Sequence, residues 1–325
     1  MTAAAALAVA AAALALVGFA RAPHHASPAF VTFRLPREAG RTVAPDAPDF
    51  ARSAPGGAPL LVFLPATGAA PRRYQRFLDT AHAVGYSVLG LDYPDAGPSL
   101  ARSCAADMAC YDDTLANRFD GADPSRFSRV TAQNAILDRL DDALDYLDVH
   151  DPGGDWGRYR SGDGVRWGSV VLAGHSQGGS EAVYIAHLHR VRGVLAFSAP
   201  AEALGGRTPS WVSTPGATPA TRMWALDDTH DVYAQRILPT WRALGIQPGE
   251  PTRLPRAAHG LLTTLELGTP GQAHGRVVSD RTPLGTRGEP VLEPVWRWML
   301  RQACGAGGTG GSRFADATAG HRQRA

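Results

Sequence analysis

Lysine is absent from this chain of 325 residues, and cysteine occurs only three times. All 32 residues that carry a fixed positive charge are therefore arginines. Without lysine, the chain has neither the G-x-x-x-x-G-K-[ST] loop of a P-loop nucleotide hydrolase nor the amine for a Schiff base. Those two classes of enzyme are excluded. The formal net charge of +2 gives no reason to expect nucleic acid as a partner.

The chain is rich in glycine (36) and proline (25), yet 44% of its residues are hydrophobic. That share can build a large core, which excludes bulk disorder and collagen-like repeats. No internal period repeats, so solenoids and propellers are not expected. The length allows two domains, but a single α/β domain often fills about 250 residues or more. We therefore predict one large domain.

The N-terminus carries an apolar, alanine-rich run from Ala3 to Ala20. Ala20-Arg21-Ala22 follows and fits the A-x-A pattern of a cleavage site. We predict a signal peptide over residues 1–22 and a secreted or extracytoplasmic protein. The alternative is a membrane anchor formed by the same segment, which barely reaches the roughly 20 residues needed to span a bilayer.

Export makes the cysteines informative, because disulfides persist in oxidising compartments. We predict a local disulfide between Cys104 and Cys110, with two unpaired thiols as the alternative. A metal site is not expected there, since neither a C-x-x-C pair nor a nearby histidine completes a ligand set. Cys304 has no predicted partner, and the Gly-rich residues 302–325 are predicted to be a disordered tail.

Strand and helix patterns alternate along the body of the chain. Short apolar runs indicate strands buried on both faces, and amphipathic segments between them indicate helices. The predicted strands lie at residues 30–35, 60–64, 86–92, 170–173, 194–197 and 223–226. This alternation predicts an α/β fold with one doubly wound, mostly parallel sheet and helices on both faces.

Three segments follow from this organisation. Residues 23–57 are predicted to form a leader with the first strand, and residues 58–301 the main domain. Within that domain, residues 93–130 are rich in Asp, Gly and Pro. They are predicted to be an irregular excursion on the surface, and long loops of this kind usually cover a site or serve a function.

The sharpest motif is Gly174-His-Ser176-Gln-Gly178, a G-x-S-x-G pattern. An apolar strand leads into it and a helix leads out, and the glycines allow a sharp turn between the two. Such a turn places the serine hydroxyl at the carboxyl end of the sheet, where open α/β folds have their sites. Ser176 is therefore the candidate nucleophile.

A serine hydroxyl needs a base, which in this kind of fold follows the serine and an acid along the chain. His259 lies downstream in a loop with a glycine beside it, and we predict it as the base. His187, His189 and His274 are interpreted as surface or structural histidines. A metal site at His187 and His189 is not expected, because no third ligand is evident.

The acid that orients the base is expected after the strand at residues 223–226, where three aspartates crowd together. Asp231 is preferred because it lies in the loop proper, and Asp228 is the alternative. Asp227 is the least favoured because it closes the strand. The acid would hold the imidazole tautomer and stabilise the imidazolium.

Two backbone N–H groups should meet the oxyanion that forms on the substrate. One is expected from Gln177, the residue after the nucleophile. The other is expected from the loop after the strand at residues 60–64, with Ala66 or Thr67 as the donor. The competing interpretation of that loop is a plain turn.

These motifs resemble the α/β-hydrolase fold superfamily, and more narrowly a group of exported bacterial hydrolase-like proteins of undefined substrate. The resemblance covers about residues 58–301. It rests on the following motifs: Leu64-Pro-Ala-Thr-Gly68, Gly174-His-Ser-Gln-Gly-Gly179, His259-Gly260, Leu91-Asp-Tyr-Pro94, the Cys104 and Cys110 pair, Gly154-Asp-Trp-Gly157 and Trp296-Arg-Trp-Met-Leu300. The acid region departs from the commoner pattern of a glycine followed by a single aspartate.

The resemblance implies serine hydrolase chemistry on Ser176, Asp231 and His259, without a metal or an organic cofactor. A secreted carboxylic ester hydrolase is the predicted function, with a small-molecule ester or acyl substrate and no obligate protein partner. The alternatives are a peptidase or thioesterase of the same fold, and a binding protein that keeps the fold without turnover.

Overall fold

An eight-stranded sheet is the central feature of the structure. The computed structural model describes residues 29–35, 47–122, 125–162 and 164–305. Ten strands are numbered along the chain: β1 (Val31–Phe33), β2 (Asp49–Arg52), β3 (Leu60–Leu64), β4 (Ser87–Gly90), β5 (Arg160–Ser161), β6 (Gly164–Val165), β7 (Val170–His175), β8 (Gly193–Phe197), β9 (Met223–Asp228) and β10 (Gly260–Thr263). The sheet has the order β1-β2-β4-β3-β7-β8-β9-β10, and β5 pairs with β6 in a separate small hairpin.

The sheet is mostly parallel, as predicted. Strands β4, β3, β7, β8, β9 and β10 are joined by parallel pairings, and β1-β2 and β2-β4 are antiparallel. Every residue of β3 and β7 is buried, which explains their continuous apolar sequence. Because parallel strands run in one direction, their carboxyl ends meet at one edge of the sheet, and loops at that edge can form a site.

Helices cover both faces of the sheet. They are α1 (Gln75–Val84), α2 (Leu100–Cys104), α3 (Met108–Asp120), α4 (Ile136–His150), α5 (Gln177–Leu188), α6 (Ala234–Ala243), α7 (Pro270–Arg276) and α8 (Glu293–Gly305). Within the described ranges, no helix is long and apolar enough to cross a bilayer.

The core consists of two hydrophobic layers, one on each face of the sheet. Leu60, Val62 and Leu64 point into the layer formed with α2 to α6. Leu61 and Phe63 point into the layer formed with α1, α7 and α8. This alternation follows from the two-residue period of a strand. It anchors the sheet from both sides, so the loops at its carboxyl edge stand on a rigid base.

The segment between β4 and α4 is not the irregular excursion that we predicted, because it contains α2 and α3. Helix α3 begins after Asp107, whose carboxylate accepts the N–H of Cys110 at 3.3 Å. Tyr111, Leu115 and Phe119 are four residues apart and buried, which gives α3 one apolar face. The many polar residues between these three positions hid the periodicity.

The predicted disulfide between Cys104 and Cys110 is present. It joins the end of α2 to the first turn of α3, so the bridge ties the two helices together close to their connection. Cys304 lies near the end of α8 and is not disulfide-bonded.

Two boundaries and one strand differ from the prediction. Strand β2 lies inside the predicted leader, and it joins the sheet because Phe50 and Ala51 are buried against β4. Helix α8 continues to Gly305, whereas the tail was predicted to begin at residue 302. Strand β10 was not predicted at all. The predicted signal peptide and residues 306–325 of the predicted tail lie outside the described residues.

Candidate active site

Ser176 occupies the sharp turn between β7 and α5 that the sequence predicted. Its backbone has φ 53° and ψ −119°, a strained conformation for a residue with a Cβ. Two glycines make the turn sterically feasible. A Cβ at Gly174 would collide with the carbonyl oxygen of Gly178, and a Cβ at Gly178 would collide with that of Leu64. The turn therefore presents the Ser176 hydroxyl at the carboxyl edge of the sheet.

His274, on α7, is the histidine that meets this serine. Ser176 Oγ lies 2.8 Å from His274 Nε2. On the other side of the ring, His274 Nδ1 lies 2.7 Å from Asp231 Oδ2. The ring packs edge-on against Tyr233, with 5.1 Å between centroids. Serine, imidazole and carboxylate thus form one hydrogen-bonded row.

Asp231 lies in the loop between β9 and α6, at the same edge of the sheet. Burial opposes its ionisation, but the hydrogen bond and charge of His274 outweigh burial and lower the pKa of Asp231. The Tyr233 N–H also donates to Asp231 Oδ1, at 2.7 Å. Because an ionised carboxylate only accepts, His274 Nδ1 carries the proton. His274 Nε2 is then free to accept the Ser176 hydroxyl proton.

A second carboxyl, that of Asp227, lies near Asp231 at the end of β9. Asp227 is fully buried, and burial together with the neighbouring charge of Asp231 raises the pKa of Asp227 well above its usual range. Ser198 donates to Asp227 Oδ1 at 3.0 Å. The negative charge of the pair therefore belongs to Asp231, which accepts hydrogen bonds from the Tyr233 N–H and from His274 Nδ1.

The prediction of His259 as the partner of Ser176 is wrong. His259 immediately precedes β10, and its Nδ1 lies 2.8 Å from the carbonyl oxygen of Met223, the first residue of β9. Strands β9 and β10 are parallel, so the start of each lies at the edge opposite the carboxyl ends. His259 therefore belongs to the wrong edge of the sheet, where its ring stacks on Trp224.

One sequence signal could have identified His274. Gly260-Leu-Leu-Thr263 is a short apolar run, and reading it as a strand would have placed His259 before the strand and His274 after it. A base is expected after the last strand, because only the carboxyl ends of the strands meet Ser176. The Gly-rich surroundings of His274 instead led to its interpretation as a structural histidine.

The alternative acid, Asp228, faces a different partner. Its Oδ1 accepts the N–H of His230 at 2.7 Å and lies 3.1 Å from His230 Nδ1. The His230 side chain is 60% exposed, whereas the His274 side chain is 14% exposed. The structure thus brings Asp231, and not Asp228, to the imidazole beside Ser176.

The two candidate donors in the loop after β3 have different surroundings. The Ala66 N–H donates to the Tyr74 hydroxyl at 3.2 Å, so it is already engaged. The Gly68 N–H donates to the Asp95 carbonyl at 3.3 Å. Thr67 stays the candidate donor from this loop, and its side chain donates to Gln177 Oε1 at 2.8 Å, which ties the loop to the start of α5.

His175, the residue before Ser176, links this loop to the histidine of the site. Its Nε2 lies 2.8 Å from the carbonyl oxygen of His274. A carbonyl only accepts, so Nε2 carries the proton and Nδ1 accepts the Tyr74 hydroxyl at 2.9 Å. Burial lowers the pKa of His175 to about 3, so the ring is neutral at physiological pH. Its role in the structure is to hold the His274 backbone.

Removing the Tyr74 hydroxyl tests this linkage. We expect Tyr74→Phe to lower kcat/KM about tenfold, because the Ala66 amide loses its acceptor and His175 loses the donor that fixes its tautomer. Tyr86→Phe is the matched control, since the buried Tyr86 hydroxyl donates at 2.7 Å to Leu300, on α8. The measurements are kcat/KM from steady-state kinetics and the stability of both variants from thermal unfolding. Equal losses of kcat/KM in the two variants would argue against the linkage.

The remaining histidines of α5 and its end pack against tryptophans. His187 meets the Trp211 ring edge-on at 5.9 Å, and His189 stacks on Trp167 at 4.7 Å. In the part of the chain that the structure describes, no group of three or more His, Cys, Asp and Glu side chains could hold a metal ion.

The topology identifies the fold. A mostly parallel eight-stranded sheet has helices on both faces, and a G-x-S-x-G turn connects a central strand to a helix. An aspartate and then a histidine follow the serine along the chain and meet it at the carboxyl edge. The chain has the α/β-hydrolase fold. The resemblance drawn from its motifs is therefore confirmed at the level of the fold.

No family model matches the chain, and no curated protein matches its sequence. Several solved structures match the chain at low sequence identity. A carboxyl esterase 2 from Tuber melanosporum is 11% identical, with 86% of this chain and 88% of that chain covered and a TM-score of 0.46. Esterase LipW from Mycobacterium marinum is 15% identical, with 86% and 82% covered and a TM-score of 0.43. A sugar hydrolase from Lactococcus lactis is 14% identical, with 86% and 97% covered and a TM-score of 0.42.

Proposed function

We propose that this chain is a serine hydrolase that cleaves carboxylic esters through an acyl-enzyme. The observation that carries the proposal is the hydrogen-bonded row of Ser176, His274 and Asp231 at the carboxyl edge of the sheet. In this row His274 replaces His259 as the base. A serine, a base within hydrogen-bond reach and an acid that orients the base are the parts that nucleophilic acyl transfer requires.

In the first half of the reaction, Ser176 Oγ attacks the ester carbonyl carbon while His274 Nε2 takes the hydroxyl proton. The electron pair of the C=O bond moves to the oxygen, which the N–H groups of Gln177 and Thr67 stabilise. Asp231 stabilises the imidazolium that forms. When the tetrahedral intermediate collapses, the C–O bond to the alcohol breaks and His274 returns its proton to the leaving oxygen.

In the second half, a water molecule takes the place of the alcohol. His274 removes a proton from the water as it attacks the acyl carbon, and the same two N–H groups stabilise the second oxyanion. The bond to Ser176 Oγ breaks, and His274 returns the proton to Ser176. The products are a carboxylic acid and the free enzyme, so the cycle needs no cofactor to balance.

Fluorophosphonate labelling of the purified protein tests this proposal. We expect the wild type to be labelled on Ser176 and the Ser176→Ala variant to be unlabelled, since the probe phosphonylates an activated serine. Ser169→Ala is the matched control and should remain labelled, because Ser169 lies just before β7, at the opposite edge of the sheet, where it donates to the Arg166 carbonyl oxygen at 2.7 Å. A folded wild type that takes no label would overturn the hydrolase proposal and favour the binding protein.

The substrate class needs a second measurement. An oxygen ester, a thioester and an amide that share one short acyl group differ in their leaving groups alone. We expect the highest kcat/KM for the oxygen ester or thioester and little turnover of the amide, because alkoxides and thiolates leave more readily than amide nitrogen. Faster cleavage of the amide would favour the peptidase alternative.

We also propose that the protein acts outside the cytoplasm. The alanine-rich run at residues 3–20 and the disulfide between Cys104 and Cys110 support this location, because disulfides are rare where thiols are kept reduced. N-terminal sequencing of protein recovered from the producing cells should find the mature chain beginning near Pro23. A chain that retains residues 1–22 would instead favour the anchor.

A further inference from the structure

A small pocket opens directly beside Ser176. It is lined by Ser176 and Ser180 of the nucleophile region, by Leu100 of α2, by Tyr233 and by Glu202. The space open to a water-sized group is about 20 Å³, enough for roughly one such group. Whatever part of a substrate enters here must therefore be short.

Glu202 is the unusual component of this pocket. Its residue is 1% exposed, and it forms no ion pair in the described part of the chain. Ser180 and the Trp211 indole are close enough to Glu202 to influence its carboxyl. Neither reaches hydrogen-bond geometry, so both carboxyl oxygens lack a hydrogen-bond partner among the described residues. A buried polar group without a partner is costly, and such groups in native proteins commonly await a ligand or a water.

Burial and the surrounding groups determine the protonation state of the Glu202 carboxyl. Burial raises the pKa of Glu202 to about 8, with Ser180, Trp211 and the Arg236 charge acting to lower it and the Asp112 charge to raise it further. At neutral pH the carboxyl is therefore protonated. It then offers one O–H donor and one acceptor oxygen, which is the complement of an alcohol. The Arg236 guanidinium nearby disfavours a second cation.

We propose that the pocket lined by Glu202 recognises a hydroxyl group on a short part of the ester substrate. This inference rests on the proposed function, since the pocket adjoins the Ser176 nucleophile. A hydroxyl would donate to one oxygen of Glu202 and accept from the other. An unsubstituted alkyl group of the same length would leave both oxygens unpaired and lose that stabilisation.

Matched ester pairs test the inference on the whole protein. On the acyl side, p-nitrophenyl butyrate is compared with the 3-hydroxybutyrate and 3-aminobutyrate esters. On the alcohol side, propyl butyrate is compared with 3-hydroxypropyl butyrate. At neutral pH we expect kcat/KM to be at least about fivefold higher for the hydroxylated member of one pair, after correction for the intrinsic hydrolysis rate. The responding pair shows which side of the ester enters the pocket.

Two variants of Glu202 assign the preference to this side chain. Glu202→Gln keeps a donor and an acceptor of the same shape and should retain most of the preference. Glu202→Met fills the same volume without hydrogen bonding and should lose it, while fluorophosphonate labelling of Ser176 persists in both. The wild-type comparison remains valid even where the methionine variant does not fold.

Two outcomes would overturn the proposed hydroxyl recognition and still be consistent with the proposed serine hydrolase function. One is an enzyme that labels on Ser176 and cleaves both members of each pair equally. The other is a preference for the amino ester that disappears in Glu202→Gln, which would assign the pocket to cations. A wild type that takes no label would instead remove the proposed function itself.

Discussion

Replacing His274 by alanine is expected to lower kcat/KM for an oxygen ester by about 10⁴-fold. Without the imidazole, no other base among the described residues is hydrogen-bonded to Ser176, since His274 Nε2 is the group 2.8 Å from Ser176 Oγ. Triad members act as a unit, so losing one removes most of the acceleration that the row supplies. Steady-state kinetics on purified, folded variant give the measurement.

His259→Ala is the control that distinguishes the two histidines. His259 lies at the start of β10, 2.8 Å from the Met223 carbonyl, and we expect its loss to change kcat/KM by less than about threefold. Both variants should be checked for folding by circular dichroism, because His259 also stacks on Trp224. A large loss in His259→Ala alongside an active His274→Ala would contradict the hydrogen-bonded row.

The second large loss of activity is expected when the acid, Asp231, is replaced. Asp231→Asn should lower kcat/KM by about 10⁴-fold while leaving the fold intact. An asparagine has nearly the shape of aspartate, but it carries no charge to stabilise the imidazolium. Its amide can also donate to His274 Nδ1, which would leave the proton on Nε2 and prevent that nitrogen from accepting from Ser176.

Asp228→Asn provides the matched comparison, three residues earlier at the last position of β9. The Asp228 carboxylate accepts from His230, so we expect kcat/KM to fall by no more than about threefold. Thermal unfolding of the same samples measures the stability of each variant. If Asp228→Asn were the inactive variant and Asp231→Asn the active one, the assignment of the acid would have to be reversed.

The nucleophile turn could be predicted from the sequence because its signal is local. An apolar strand, a serine between glycines and a helix lie within about twenty residues, and sterics dictate how they connect. The structure confirms the position of Ser176 at that turn, while its role as nucleophile stays a prediction. The disulfide between Cys104 and Cys110 was also local, and it is confirmed.

The loop donors were only partly predictable. Sequence reasoning identified the loop after β3 and left Ala66 and Thr67 open. The choice between them depends on Tyr74, whose hydroxyl accepts the Ala66 N–H and donates to His175. No spacing in the sequence reveals that contact, because it arises from the packing of α1 and its preceding turn against β7.

By itself, the sequence determined six strands of the sheet (β1, β3, β4, β7, β8 and β9), the α/β class of the fold, the serine at the strand-to-helix turn and the aspartate cluster at the end of β9. Each follows from short-range rules of periodicity and turn sterics. The tertiary structure alone decided which histidine meets Ser176. That choice depends on whether a residue precedes or follows a parallel strand, and β10 has only four residues. The pairing of β10 with β9 places His259 at one edge of the sheet. His274 follows β10 on α7 and lies at the opposite edge, beside Ser176.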